Sequence, residues 1–135
     1  MRIDYTNKEI IDNEIYVHDS IFEGFLYKST EKQLLVEFKN DYLEKTFNIQ
    51  FYNVLILNCE MCEFWGKSPH ILNWETSDDE NLIKEMKKKQ NDNKELYSGS
   101  LVDTEKSYVE TMIILSSGDT IKIVCEYIEF QEEKW

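Results

Sequence analysis

Between Tyr108 and Phe130 the chain alternates twice about a turn, and no other stretch limits the fold as tightly. Going in, Val109, Thr111, Ile113 and Leu115 interleave with Tyr108, Glu110, Met112 and Ile114. Coming back, Ile121, Ile123, Cys125 and Tyr127 interleave with Lys122, Val124, Glu126 and Ile128. Successive side chains of an extended strand point to opposite faces, so each arm offers one apolar face to a core. Ser116-Ser117-Gly118-Asp119 lies between them, and Gly118 supplies the positive φ that a tight reversal needs. The pattern predicts one long β-hairpin.

A second hairpin follows the same logic. Leu34, Val36 and Phe38 form one arm and Phe47, Ile49 and Phe51 the other, joined through residues 40–45. Residues 54–58 are apolar up to Asn58, which predicts a central strand buried on both faces. Residues 14–18, 20–28, 70–74 and 95–103 read as further extended pieces. Thr6-Asn7-Lys8-Glu9 has capping-box spacing and predicts a short helix over 7–13. Ser77-Asp78-Asp79-Glu80 repeats that spacing, with acids at the start and lysines at the end. It predicts a surface helix over 78–91 that shows a narrow stripe of Leu82, Ile83 and Met86. No βαβ alternation appears. The expected fold is α+β and mainly β: a single domain over 1–135 with a meander of hairpins in one antiparallel sheet of about seven strands, one surface helix and a short N-terminal helix.

Composition narrows the function. A 41% hydrophobic and 13% aromatic content is too high for a disordered chain. There is no alanine, one proline and one arginine, amid abundant Lys, Asn, Ile and Tyr. The depleted residues are those with GC-rich codons, which suggests an AT-rich bacterial genome. Fifteen basic residues face twenty-seven acidic ones, a net of −12. Five lysines fall in 84–94 against Glu85 and Asp92, so the rest of the chain carries −15. Such a surface repels phosphate backbones, so no nucleic acid is expected; the simpler reading is that the acidity keeps a small protein soluble, and the alternative is that it speeds encounter with a basic partner. Neither an export signal nor a membrane-length apolar run is visible, and the expected compartment is a reducing cytoplasm with no membrane partner.

The chemical motifs are sparse. Cys59-Glu60-Met61-Cys62 has metal-ligand spacing and His70 follows, but a structural zinc site takes four ligands and needs Cys125 folded alongside. The simpler reading is buried or incidental thiols; metal binding by Cys59, Cys62 and His70 stays as an alternative. His18-Asp19-Ser20 has the residue types of a triad, but consecutive residues cannot line up as nucleophile, base and orienter. A polar Asp-Ser corner between two strands, capped by His18, fits better, and a binding surface that uses His18 and Asp19 is the alternative. Phe64, Trp65, Trp74 and Trp135 lie in or beside segments without clean alternation; core packing is the simpler reading, and a partner surface is the alternative. Four glycines, far apart, build no phosphate-cradling loop.

Ile15-Tyr16-Val17-His18-Asp19-Ser20, followed by strands, Phe51-Tyr52-Asn53-Val54 and a later Phe64-Trp65, resembles a pattern found in small uncharacterised β-rich bacterial proteins. Some proteins with this pattern are similar to immunity proteins of polymorphic toxin systems, which bind and block a cognate toxin. The resemblance implies a non-enzymatic protein-binding domain without a cofactor. The expected function is therefore an immunity-type inhibitor or related binding domain that presents an acidic face to a basic protein, with a homodimer or metal-binding protein as the alternatives.

Overall fold

The computed structural model describes residues 1–60, 69–77, 80–93 and 106–135. Among the described residues nine strands and two α-helices follow one another as β1 (Arg2–Ile3), α1 (Glu9–Asn13), β2 (Ile21–Lys28), β3 (Gln33–Asn40), β4 (Lys45–Tyr52), β5 (Ile56–Cys59), β6 (Ile71–Thr76), α2 (Asn81–Asp92), β7 (Val109–Leu115), β8 (Thr120–Cys125) and β9 (Tyr127–Lys134). The fold is mainly β, but the expected single sheet of seven strands is two antiparallel sheets. One has five strands in the order β1-β9-β4-β3-β2; the other has four in the order β5-β8-β7-β6.

The reason is a change of phase in the last hairpin. Ile121, Ile123 and Cys125 face the core from β8, whereas Ile128 and Phe130 face it from β9. Only Glu126 separates the two strands, so the continuous run from Thr120 to Lys134 leaves one sheet and enters the other at that residue. Its partner bends at the same place: Tyr52 pairs with Tyr127 at the end of β4, Asn53 takes φ +51°, and Ile56 resumes pairing with Val124. The elbow is held by Asn53 Nδ2 donating to Glu126 Oε2 (3.1 Å) and by the stacked Tyr52 and Tyr127 rings (4.6 Å). The Arg2 guanidinium lies 4.0 Å above the centre of the Tyr127 ring.

A single apolar cluster lies between the sheets, built from Phe38, Phe47, Ile49, Phe51, Ile113, Ile121 and their neighbours. Each such side chain contributes about 1.5–3 kcal/mol on burial. The predicted alternation is seen here in both hairpins as far as Cys125, and Gly118 turns with φ +87°. Val54 is buried, but β5 is the edge of its sheet and not a central strand. Its two apolar faces are covered from opposite sides, Leu57 and Cys59 by the core, Leu55 and Ile56 by α2.

α2 packs Ile83, Leu82 and Met86 on Val124 and Tyr108, on the outer face of the four-stranded sheet. It starts at Asn81, three residues later than capping-box spacing predicts. Glu80 occupies the N-cap position at φ +51° with its side chain on Lys8 Nζ (3.3 Å), and the cap is supplied by Glu110 from β7. At the N-terminus, Asp4 and Asn7 form the reciprocal box in place of Thr6 and Glu9. Residues 14–18 form no strand; they run from α1 into the corner that opens the candidate site. The strand expected over 95–103 lies outside the described residues. Among the described residues no helix is long and apolar enough to cross a membrane.

Candidate functional site

The chain's two histidines come together in one cleft, although 52 positions separate them. The cleft has a volume of about 610 Å³ and opens where the two sheets meet at the start of β2. Here Ile21 bridges to His70, the Phe22 N–H donates to Pro69 O, and Asp19 and Ser20 exchange hydrogen bonds with Ile71. The His-Asp-Ser corner is thus the joint that docks the edge of one sheet on the edge of the other.

Local backbone geometry sets the direction of each side chain. Asp19 adopts φ +65°, a conformation that aspartate tolerates better than most residues. The Ser20 N–H closes the turn on Val17 O, and the Ser20 side chain points inward, fully buried. There its hydroxyl accepts from Asn40 Nδ2 (3.2 Å), while Asn40 Oδ1 accepts from the Leu43 N–H (2.8 Å). This buried pair fastens the β3–β4 turn to the corner, and so brings Asp41, Tyr42 and Leu43 to the cleft opposite His18.

The His18 Nδ1 lies 2.7 Å from Leu72 O, and a carbonyl only accepts, so this nitrogen carries the proton. Its Nε2 lies 3.3 Å from Asp19 Oδ1. The Tyr16 ring packs at 6.1 Å from the imidazole. Tyr16 is 66% exposed and Tyr42 95%, although each is a large aromatic side chain. The carboxylates of the described lining residues are those of Asp19 and Asp41, and none of these residues is lysine or arginine. The arrangement can engage a cation and an apolar surface together. The Ser20 hydroxyl is turned into the interior, away from this opening.

Of the residues singled out from the sequence, His18, Asp19 and His70 share the cleft. Trp74 does not lie on the surface: it is 2% exposed, edge-on to Phe51 (6.3 Å) and beside Phe130 (6.1 Å), because it sits on the inward phase of β6. Phe64, Trp65 and Cys62 lie outside the described residues. Cys59 ends β5 half-buried, and burial, with the Asp119 carboxylate adding to it, pushes its thiol pKa up. Cys125 faces the core and its thiol is driven strongly upward by burial. Among the described residues no three His, Cys, Asp or Glu side chains gather around a metal-sized space.

Tyr16, Asp41 and Tyr42 were not among the residues the sequence singled out. The available signal was an aromatic residue and a leucine inside the otherwise polar connector at 40–45. Comparison with family models finds no match for this chain, and comparison with curated proteins finds none either.

Proposed function

We propose that the protein is a non-catalytic binding domain, an inhibitor of the immunity type, which engages a basic protein through the acidic, tyrosine-rimmed cleft at the sheet joint. The observation that carries this reading is the composition of that cleft: two aspartates and two well-exposed tyrosines from separate connectors, with no lysine or arginine among the described lining residues. Tyrosine is enriched where binding energy concentrates at interfaces, and carboxylates around it select a cationic counterpart and hasten encounter. The net charge of −12 acts in the same direction over longer range.

The buried Ser20 hydroxyl supports a site that binds and does not react. Capture of partners from lysate of the source cell tests the proposal, with wild-type bait and bait carrying Asp19→Asn and Asp41→Asn compared over a salt series. A basic protein held in stoichiometric amount by the wild type and released by salt supports it. Capture that ignores both salt and substitutions removes the electrostatic interface.

A further inference from the structure

The two carboxylates of the cleft stand on different elements, and that separation points to the shape of what they hold. Asp19 belongs to the corner before β2 and Asp41 to the β3–β4 turn, while Tyr16 and Tyr42 bring an aromatic ring from each of the same two connectors. Asp41 makes no ion pair among the described residues, and one Asp19 oxygen lies 3.3 Å from His18 Nε2. The cleft therefore presents two acceptors on separate segments, with two exposed tyrosines in the same lining.

We infer that the cleft receives an arginine side chain of the partner, with the guanidinium between Asp19 and Asp41 and its plane against Tyr42 or Tyr16. The inference rests on the binding reading above and specifies its central contact. A guanidinium carries five N–H donors in a planar fork, so one group reaches two carboxylates and still lays its face on an aromatic ring. An ammonium is a compact point charge and satisfies this combination less completely. The chain uses the same contact internally, where the guanidinium of Arg2 covers Tyr127 at 4.0 Å. The volume of about 610 Å³ admits a long side chain together with the backbone that carries it.

The test is an NMR titration of the intact protein with N-acetyl-arginine amide, the neutral isostere N-acetyl-citrulline amide, and N-acetyl-lysine amide. The expected result is saturable shifts at the backbone amides of Asp19, Asp41 and Tyr42 with the arginine probe, weaker ones with lysine and none with citrulline. Asp19→Asn together with Asp41→Asn should weaken arginine binding about two- to tenfold. Tyr42→Ala should weaken it about two- to fivefold. Asparagine tolerates the backbone of Asp19 at least as well as aspartate, and Tyr42 is almost wholly exposed, so these variants keep the fold. Shifts equal for arginine and citrulline, or equal for arginine and lysine, or unmoved by the substitutions, overturn the inference. If the arginine probe is silent while the lysate partner is still captured and salt-released, the arginine contact fails and the binding reading stands.

Discussion

Glu110 Oε1 accepts a 2.9 Å hydrogen bond from the backbone N–H of Ile83, so a carboxylate on β7 caps the first turn of α2. Ile83 is the third residue of the helix, and its N–H is one of the donors that an α-helix leaves without an internal partner. A negative group at that end also meets the positive end of the helix dipole. Glu110 is 6% exposed, so the pairing is made away from bulk water.

Removing this cap should loosen α2 from the sheet. Glu110→Ala is expected to destabilise the protein by about 1–2 kcal/mol, the usual cost of a lost N-cap acceptor. Glu110→Gln keeps an acceptor and should cost less. Urea unfolding followed by circular dichroism measures both; an unchanged midpoint for Glu110→Ala would show that Ile83 finds another acceptor.

This cap also shows where sequence reading ends. The stripe of Leu82, Ile83 and Met86 was legible because helical spacing is local, and it packs as expected. The start of the helix was not, since its cap comes from a strand 27 positions away along the chain. The two hairpins were legible for the same local reason. Their division between two sheets was carried by a single phase change at Glu126, where Cys125 and Tyr127 read as one face although the inward residues after the elbow are Ile128 and Phe130. The cleft was half legible: His18 and Asp19 stood out as a corner, whereas Asp41 and Tyr42 reach it only through the buried Asn40–Ser20 pair.

That pair makes a prediction of its own. Asn40→Ala leaves the Ser20 hydroxyl and the Leu43 N–H without their partner, at a cost of about 1–3 kcal/mol for a buried polar group left unmet. It should also release the β3–β4 turn and weaken partner binding, while Ser20→Ala combined with Asn40→Leu restores stability in part. Thermal unfolding of the single and double variants gives the comparison; additive losses would mean that the two residues are not coupled.

The elbow should be acid-sensitive. The hydrogen bond from Lys106 to Glu126, with a second from Asn53 and the nearby Lys106 and Arg2 charges, outweighs burial and lowers the Glu126 carboxyl below its usual range. A carboxyl whose folded pKa is depressed contributes stability above its unfolded pKa and loses it as pH falls through the folded one. Glu126→Gln should therefore be less stable than wild type at pH 7, with the difference closing below about pH 4. Unfolding curves at stepped pH decide this, and a constant difference across the range would place the effect elsewhere.

Cys125 should resist thiol reagents in the native protein. Its side chain faces the core and burial, with Glu126 nearby, drives the thiol pKa strongly upward, so the reactive thiolate is scarce. Native treatment with iodoacetamide followed by peptide mass analysis should find Cys125 unmodified, and full modification only after unfolding. Rapid native labelling would mean that the core opens readily around β8.

Paired capture at two ionic strengths tests the acidic cleft as the binding surface most directly. Wild-type protein and the Asp19→Asn, Asp41→Asn variant are offered the same lysate of the source cell at low and at high salt. One basic protein should bind the wild type in near-equal amount, be diminished on the variant and be released from both by salt. A partner that binds the two baits equally and persists at high salt would contradict it.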